Sequence, residues 1–170
     1  SVEHLAVEGV DLYLPDGQPL IANVNLSLQR GDTVLLGGPS GMGKSTLLRA
    51  IAGIWPFGQG EIRRSRDARF LFLPQKPYLP IGTLREVISF PMPAGGTDDV
   101  TLREALELVG LPGLARRVDE SRHWALQLSP GEQQRIAFAR ALVQKPDWLF
   151  LDEATSAVDE STETRLYRLV

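Results

Sequence analysis

The sequence predicts an α/β fold with a parallel core sheet, an N-terminal antiparallel β-layer and a helical subdomain set between core strands. Three observations predict it. The N-terminal third holds two runs that alternate apolar and polar residues, "HLAVEGVDLYL" and "LIANVNLSLQ", with the turn residues "PDGQP" between them. Short continuous apolar runs recur as "TVLLGG", "RFLFLP" and "WLFLDE", each the size of a buried strand. Between the last two of these, residues 83–144 change to helical spacing and capping signals.

Taken in order, Thr33 to Gly37 reads as a buried strand and leads into a glycine-rich loop. "KSTLLRAIAGI" then places Leu47, Leu48, Ile51 and Ile54 on one helical face. "ARFLFLPQ" reads as a second core strand, ended by Pro74. "TLRE" occurs at Thr83–Glu86 and again at Thr101–Glu104, each matching a capping box in which Thr caps the helix and Glu reaches back. "PMPAGGTDD" between them reads as a flexible loop. The second of these helices carries Leu102, Ala105, Leu106 and Val109 at helical spacing, with Gly110 placed to end it. "QLSPGEQQRIAFARAL" opens a third helix that runs to about Leu142 and stops at "KPD". Ser129 reads as its N-cap, Pro130 as its first residue and Glu132 as its third. "WLFLDE" is the last core strand, and "DESTETRLYRLV" begins a helix that the chain end cuts short.

Composition bounds the function. A chain of 170 residues with 43% hydrophobic content suits one domain. A net charge of −3 and a pI of about 5.4 leave no basic footprint for nucleic acid. The absence of cysteine excludes a disulfide framework and thiolate metal sites, and two isolated histidines make a poor metal centre. The apolar runs fall far short of the ~20 residues that a membrane span requires, and no signal peptide is evident. The sequence reads as a soluble, cytosolic-type module; its first residue, Ser, suggests a segment of a longer chain.

Two stretches carry chemistry. "GPSGMGKST", Gly38 to Thr46, matches the phosphate loop G-x-x-x-x-G-K-[ST] between a predicted strand and a predicted helix. Glycines let successive N–H groups point at phosphate oxygens, Lys44 supplies a mobile positive charge, and the Ser45 hydroxyl is placed for Mg2+. The helix N-terminus adds its partial positive charge. This motif predicts a nucleoside triphosphate site. "WLFLDE" ends in Asp152, able to hold a metal's water shell, and Glu153, placed to polarise an attacking water. Gln75, at the end of "FLFLP", reads as a neutral ligand to Mg2+ and the attacking water.

The phosphate loop, "LPQ", "LSPGEQQRIAFARAL" and "WLFLDEATSAVD", in this order and spacing, resemble the nucleotide-binding domain of ATP-binding-cassette (ABC) transporters over essentially the whole chain. "AGIWPFGQGEI", "LPQKPYLPIGTLREVISFP" and a signature with Glu in place of the usual final Gln look most like subfamily D. That group holds peroxisomal fatty-acyl half-transporters and bacterial permease–ATPase fusions for peptides, acyl compounds or cobalamin. The resemblance implies a P-loop NTPase core formed by residues 1–82 and 145–170, with 83–144 as the helical signature subdomain. It implies ATP and Mg2+ as ligands and hydrolysis coupled to transport, with the domain at the cytoplasmic face of a membrane.

Carried over residue by residue, Gly38, Pro39, Ser40, Gly41, Met42, Gly43, Lys44, Ser45 and Thr46 form the Walker A loop. Ser45, Gln75 and Asp152 hold the metal, and Glu153, Lys44 and Gln75 serve catalysis. Ser129, Pro130, Gly131 and Glu132 are the signature, and Asp159 belongs to the D-loop at Ser156–Asp159. In that family two domains close head to tail, so the signature of one faces the γ-phosphate held by the other. The segment with Tyr78 and Thr83–Phe90 would meet the transmembrane domain.

Three departures carry consequences. Leu14 stands where the family places its adenine-stacking aromatic, and Tyr13, one step off, is either a substitute or an ordinary strand tyrosine. The family's switch histidine lies past the last residue here, and neither His4 nor His123 has its sequence context, so weak binding and poor hydrolysis are expected of these 170 residues alone. Pro130 removes one backbone donor and Glu132 offsets the positive helix end, leaving the signature to rely on the Ser129 hydroxyl and the Gly131 N–H. The alternative reading is a non-transport ABC-type ATPase of DNA repair or the ribosome. Repair and chromosome ATPases place a long coiled coil before the signature, whereas about 85 residues without sustained heptads separate Lys44 from Ser129.

Overall fold

The computed structural model describes residues 4–39, 41 and 43–170. In chain order the elements are β1 (His4–Tyr13), β2 (Pro19–Gln29), α1 (Lys44–Ala52), β3 (Gly58–Arg64), β4 (Phe70–Leu73), β5 (Gly82–Thr83), α2 (Leu84–Ser89), α3 (Asp99–Leu108), β6 (Ser121–Arg122), α4 (Trp124–Gln127), α5 (Pro130–Gln144), β7 (Trp148–Leu151) and α6 (Glu160–Tyr167). The fold is α/β: an antiparallel sheet β2-β1-β3, a parallel pair β4-β7 and a helical region. Two backbone bonds show the parallel sense, Asp147 N–H to Arg69 O and Asp152 N–H to Leu73 O, which climb both strands together.

The chain forms two compact units. One comprises the residues up to Phe72 with Pro146–Phe150; the other comprises Leu73–Lys145 and Leu151–Val170. In the first, the alternation seen in the sequence turns Leu5, Val7, Val10 and Leu12 of β1 inward, where Leu47, Ala50 and Ile51 of α1 and Trp148 and Phe150 of β7 pack with them. Phe70 and Phe150 stack at 5.9 Å. Arg64 of β3 lies over Phe70 and donates to the carbonyls of Ile51 and Ala52, so a cation holds the C-terminal end of α1.

Three expectations need correction here. Residues 32–37 are not a strand: they enter no ladder, and Leu35 is 92% exposed while Leu36 packs against the core. The apolar run has the composition of a core strand, but without a neighbour on either edge only part of it finds cover. Helix α1 ends at Ala52, where Gly53 adopts a left-handed φ of 85°, and Ile54, beyond it, is 59% exposed. Strand β3 has no counterpart among the elements expected from the sequence. A Cβ at Gly58 would lie 2.6 Å from Asp11 O, and one at Gly60 would lie 2.5 Å from Gly9 O. The glycines are what let β3 approach the irregular middle of β1.

In the second unit, α2 and α3 pack on α5. Helix α2 opens with the expected capping box at Thr83 and Glu86. Helix α3 starts earlier than the sequence suggested. Asp98 is its N-cap and accepts from Thr101 N–H, so the second "TLRE" forms no box; a carboxylate already stands at the cap and takes Thr101 as its partner. Gly110, at φ 83°, closes α3 as expected: its N–H reaches Glu107 O and Leu111 N–H reaches Leu106 O, a Schellman arrangement. Helix α5 continues to Gln144, where Lys145 takes a left-handed conformation. Helix α6 spans Glu160–Tyr167, with Arg168 N–H and Leu169 N–H bonded to the carbonyls of Arg165 and Leu166.

Arg140 of α5 is buried and donates to Val87 O at 2.9 Å and Tyr78 O at 2.6 Å, with its guanidinium over Phe90. Burial lowers its pKa to about 10.

Candidate functional site

In the first unit the phosphate loop precedes α1. Gly38, Gly41 and Gly43 all take positive φ, at 136°, 83° and 83°. That backbone is open to glycine and strained for other residues. Gly43 is also the N-cap of α1 and supplies no side-chain cap, whereas Thr83, Asp98, Ser129 and Asp159 cap their helices with side-chain oxygens. A Cβ at Gly43 would meet Leu20 Cγ at 3.1 Å, a tight contact with β2. Lys44 Nζ donates across the loop to Gly38 O at 2.5 Å. Pro39 and Gly41 are exposed, Ser45 is half-buried, and Thr46 is buried on the core side of α1. Ser40 and Met42 lie outside the described residues.

Tyr13 is half-buried at the end of β1, and its hydroxyl accepts from Gln59 Nε2, which also bonds Asp11. The Asn23 N–H and the Gln59 amide hold the Asp11 carboxyl below its ordinary pKa. Leu14 sits in the turn, its N–H bonded to Gln18 O. His4 bonds the Ser27 hydroxyl at 2.9 Å, and His123 is an exposed residue at the start of α4.

In the second unit, Gln75, Asp152, Glu153, the 156–159 turn and the start of α5 come together. Asp152 is half-buried at the end of β7, and Glu153 is exposed with φ 50°. A left-handed glutamate is uncommon and costs on the order of 1 kcal/mol, a strain found more often where a side chain has work to do. Ser129 and Glu132 form the expected capping box: Ser129 Oγ accepts from Glu132 N–H at 3.2 Å, and Glu132 Oε1 accepts from Ser129 N–H at 2.9 Å. Pro130 is the first helical residue. Gly131 packs on the turn, where a Cβ would lie 2.8 Å from Ala157 O. Asp159 caps α6 through Thr162, which holds its carboxyl below the ordinary range.

Sequence reasoning missed Gln134. It is 2% exposed, on the inner side of α5. Its Nε2 donates to Gln75 O at 2.8 Å and Ser156 Oγ at 3.0 Å, with Glu153 O a longer, shared acceptor at 3.4 Å, while its Oε1 accepts from Ala157 N–H at 2.8 Å. The one signal in the sequence is a polar residue on the face that also carries Phe138 and Ala141.

In the segment expected to meet a membrane partner, Leu84, Val87 and Ile88 are buried, whereas Tyr78 is 64% and Ile81 72% exposed. Tyr78 meets Phe90 edge-on at 5.2 Å.

A protein-family profile described as ABC transporter matches residues 21–156. An uncharacterized ABC transporter ATP-binding protein of Synechocystis is 47% identical over 167 residues, covering 96% of this chain and 25% of that protein. The human lysosomal cobalamin transporter ABCD4 is 38% identical, covering 96% of the chain and 29% of that protein. Among solved structures, a bacterial Atm1-family ABC exporter with ATP bound superposes with a TM-score of 0.86 at 25% identity, over 99% of this chain and 32% of the other. The chain therefore spans about a quarter to a third of the length of these relatives.

Proposed function

This chain belongs to the ABC transporter family, and on that premise we propose that it is an ATP-binding and ATP-hydrolysing domain whose turnover drives a substrate across a membrane. The observation that carries the reading is the phosphate loop: glycines at positive φ leading into α1, with no side-chain cap on its N-terminus and Lys44 reaching back over the loop. A helix end of that kind directs N–H groups and positive potential at an anion. The two curated relatives named above are an ABC transporter ATP-binding protein and a transporter, which favours transport over the repair or ribosome alternative.

The chemistry is phosphoryl transfer to water, in which positioning and charge neutralisation supply most of the acceleration. Lys44 would bridge the β- and γ-phosphates, and Gly38 to Thr46 would cradle them. Glu153 would orient and polarise the attacking water, with Gln75 beside it. Ser45, Gln75 and Asp152 offer a hydroxyl, an amide oxygen and one carboxylate. This oxygen-only set of low charge fits Mg2+ held largely by phosphate and water, not a dedicated protein cage. When bound, Mg2+ neutralises charge on the transferring phosphoryl group.

The partners in this reading are a second nucleotide-binding domain, facing Ser129–Glu132, and a transmembrane domain at the exposed Tyr78 and Ile81. The domain then works at the cytoplasmic face of a membrane, with residues 1–82 and 145–170 as core and 83–144 as helical subdomain. The test is a pair of substitutions in the full-length protein. Glu153→Gln should abolish ATP hydrolysis and keep nucleotide binding, and Lys44→Ala should weaken binding itself. Hydrolysis at the wild-type rate by Glu153→Gln would refute the reading.

A further inference from the structure

We propose that Gln134 is a positioning residue for hydrolysis, its single side-chain amide holding the backbones of Gln75, Glu153 and the 156–157 turn in the register the reaction needs. The proposal rests on the hydrolytic reading above.

Two separate segments, one at Gln75 and one at residues 153–157, meet on this one planar group. Its two N–H groups donate to Gln75 O and Ser156 Oγ, with Glu153 O as a longer, shared acceptor, and its oxygen accepts from Ala157 N–H. Only Asn and Gln carry both donors and an acceptor on one uncharged side chain, and the extra methylene of Gln gives the reach. At 2% exposure the group has no water to replace a lost partner. A fully satisfied buried network of this kind rigidifies what it joins.

The effect is sharpest at Glu153. Its left-handed backbone is a costly conformation that persists only when its surroundings over-determine it. Its carbonyl accepts from Ser156 N–H at 3.2 Å and takes a weaker, shared contact from Gln134 Nε2 at 3.4 Å. Gln75 is held in the same way: its side chain is exposed, but its carbonyl is fixed from beneath. One helical turn before Gln134, Gly131 lies against Ala157 O. Gln134 therefore holds Ala157 by its N–H, while Gly131, having no Cβ, leaves room for the Ala157 carbonyl close to α5. A shift of the signature end of α5 is transmitted to the water-orienting glutamate and to Gln75 together.

The test uses the full-length protein with steady-state ATP hydrolysis, binding of a fluorescent ATP analogue, and thermal melting. Gln134→Met keeps the length and packing of the side chain and removes every one of these bonds. We expect kcat to fall on the order of tenfold or more, since small misplacements of reacting groups cost that much, with KM and analogue binding within about twofold because Lys44 and its loop lie in the other unit. Ser156→Ala, at an exposed position, removes one partner without risk to the fold; a several-fold fall in kcat is expected. The double variant should be no slower than Gln134→Met alone, because both act through the same network. Four results would each overturn the proposal: a wild-type kcat in Gln134→Met, a rise in KM with kcat unchanged, additive losses in the double variant, or, if Gln134→Met does not fold, a wild-type kcat in Ser156→Ala. Failure of the hydrolytic reading itself is read separately, from Glu153→Gln in the unsubstituted background.

Discussion

Gly131→Ala tests whether the signature glycine is there for its small size as well as for its N–H. The substitution keeps the N–H, so the donors of α5 are unchanged and only geometry is perturbed. Alanine in place of glycine favours a helix by up to ~1 kcal/mol. Against this, the new Cβ would lie 2.8 Å from Ala157 O and 3.6 Å from Val158 Cγ1. The carbonyl must move by a few tenths of an ångström, and it cannot move freely because Ala157 N–H is held by Gln134 at 2.8 Å. Forcing an extra methyl group into such a contact costs about 1–3 kcal/mol. The net effect is a loss of about 0–2 kcal/mol in stability. The functional effect is larger, because the displaced turn shares its anchor with Glu153: kcat should fall on the order of 10- to 100-fold. The assay is chemical denaturation and ATP hydrolysis of the full-length protein beside Gly113→Ala, whose new Cβ would meet nothing within 4 Å. A Gly131→Ala protein as active as Gly113→Ala would show that the turn yields freely and that the reasoning is wrong.

Two further expectations follow from the helix starts. Replacing Pro130 with Gly and Glu132 with Gln restores one backbone donor to α5 and removes a negative charge from its positive end, while the Gln can still accept from Ser129 N–H; ATP-driven association of the full-length protein should tighten, measured by sedimentation against ATP concentration, and weaker association would mean that the cap matters more than the donor count. At Asp159, Thr162 holds the carboxyl below its ordinary pKa, so its contribution to α6 is complete above the unfolded value of about 3.9 and is lost as pH falls through the folded value. Asp159→Asn should flatten this loss, followed as amide exchange protection of residues 162–165 between pH 5 and pH 2, and an unchanged acid profile would remove Asp159 as its source.

The local parts of the fold were legible. Alternation in β1 and β2, the caps at Thr83 and Ser129, and the end of α3 at Gly110 each rest on residues within a few positions of one another. Two of the failures share a cause: a distant partner decided the outcome. Gly58 and Gly60 look like loop residues until β1 lies alongside and leaves no room for a Cβ. "TVLLGG" looks like a core strand because its composition says nothing about whether a neighbouring strand will pair with it. At Thr101 the error was of another kind. Two capping residues competed three positions apart, and the carboxylate of Asp98 took the helix start.

The same division separates the site residues from Gln134. The phosphate loop and the signature can be read because a phosphate needs consecutive N–H groups, and consecutive N–H groups need a particular run of residues. Gln134 lies inside the signature run, but its partners lie outside it. Its partners lie 59 positions before it at Gln75 and 19 to 23 after it at Glu153, Ser156 and Ala157. In the sequence it is one of two adjacent glutamines; its neighbour Gln133 bonds the Ala125 and Leu128 carbonyls at 3.0 Å and ties α4 to α5. What distinguishes the two is which side of a helix faces inward, and that is set by Ile136, Ala137 and Phe138 further along α5, all buried to within 1%. The apolar pattern of the helix thus places one amide beneath the signature. A buried residue of the signature stretch then carries the connection between motifs, because from an inward helix position one side chain reaches the Gln75 segment and the 153–157 turn at once.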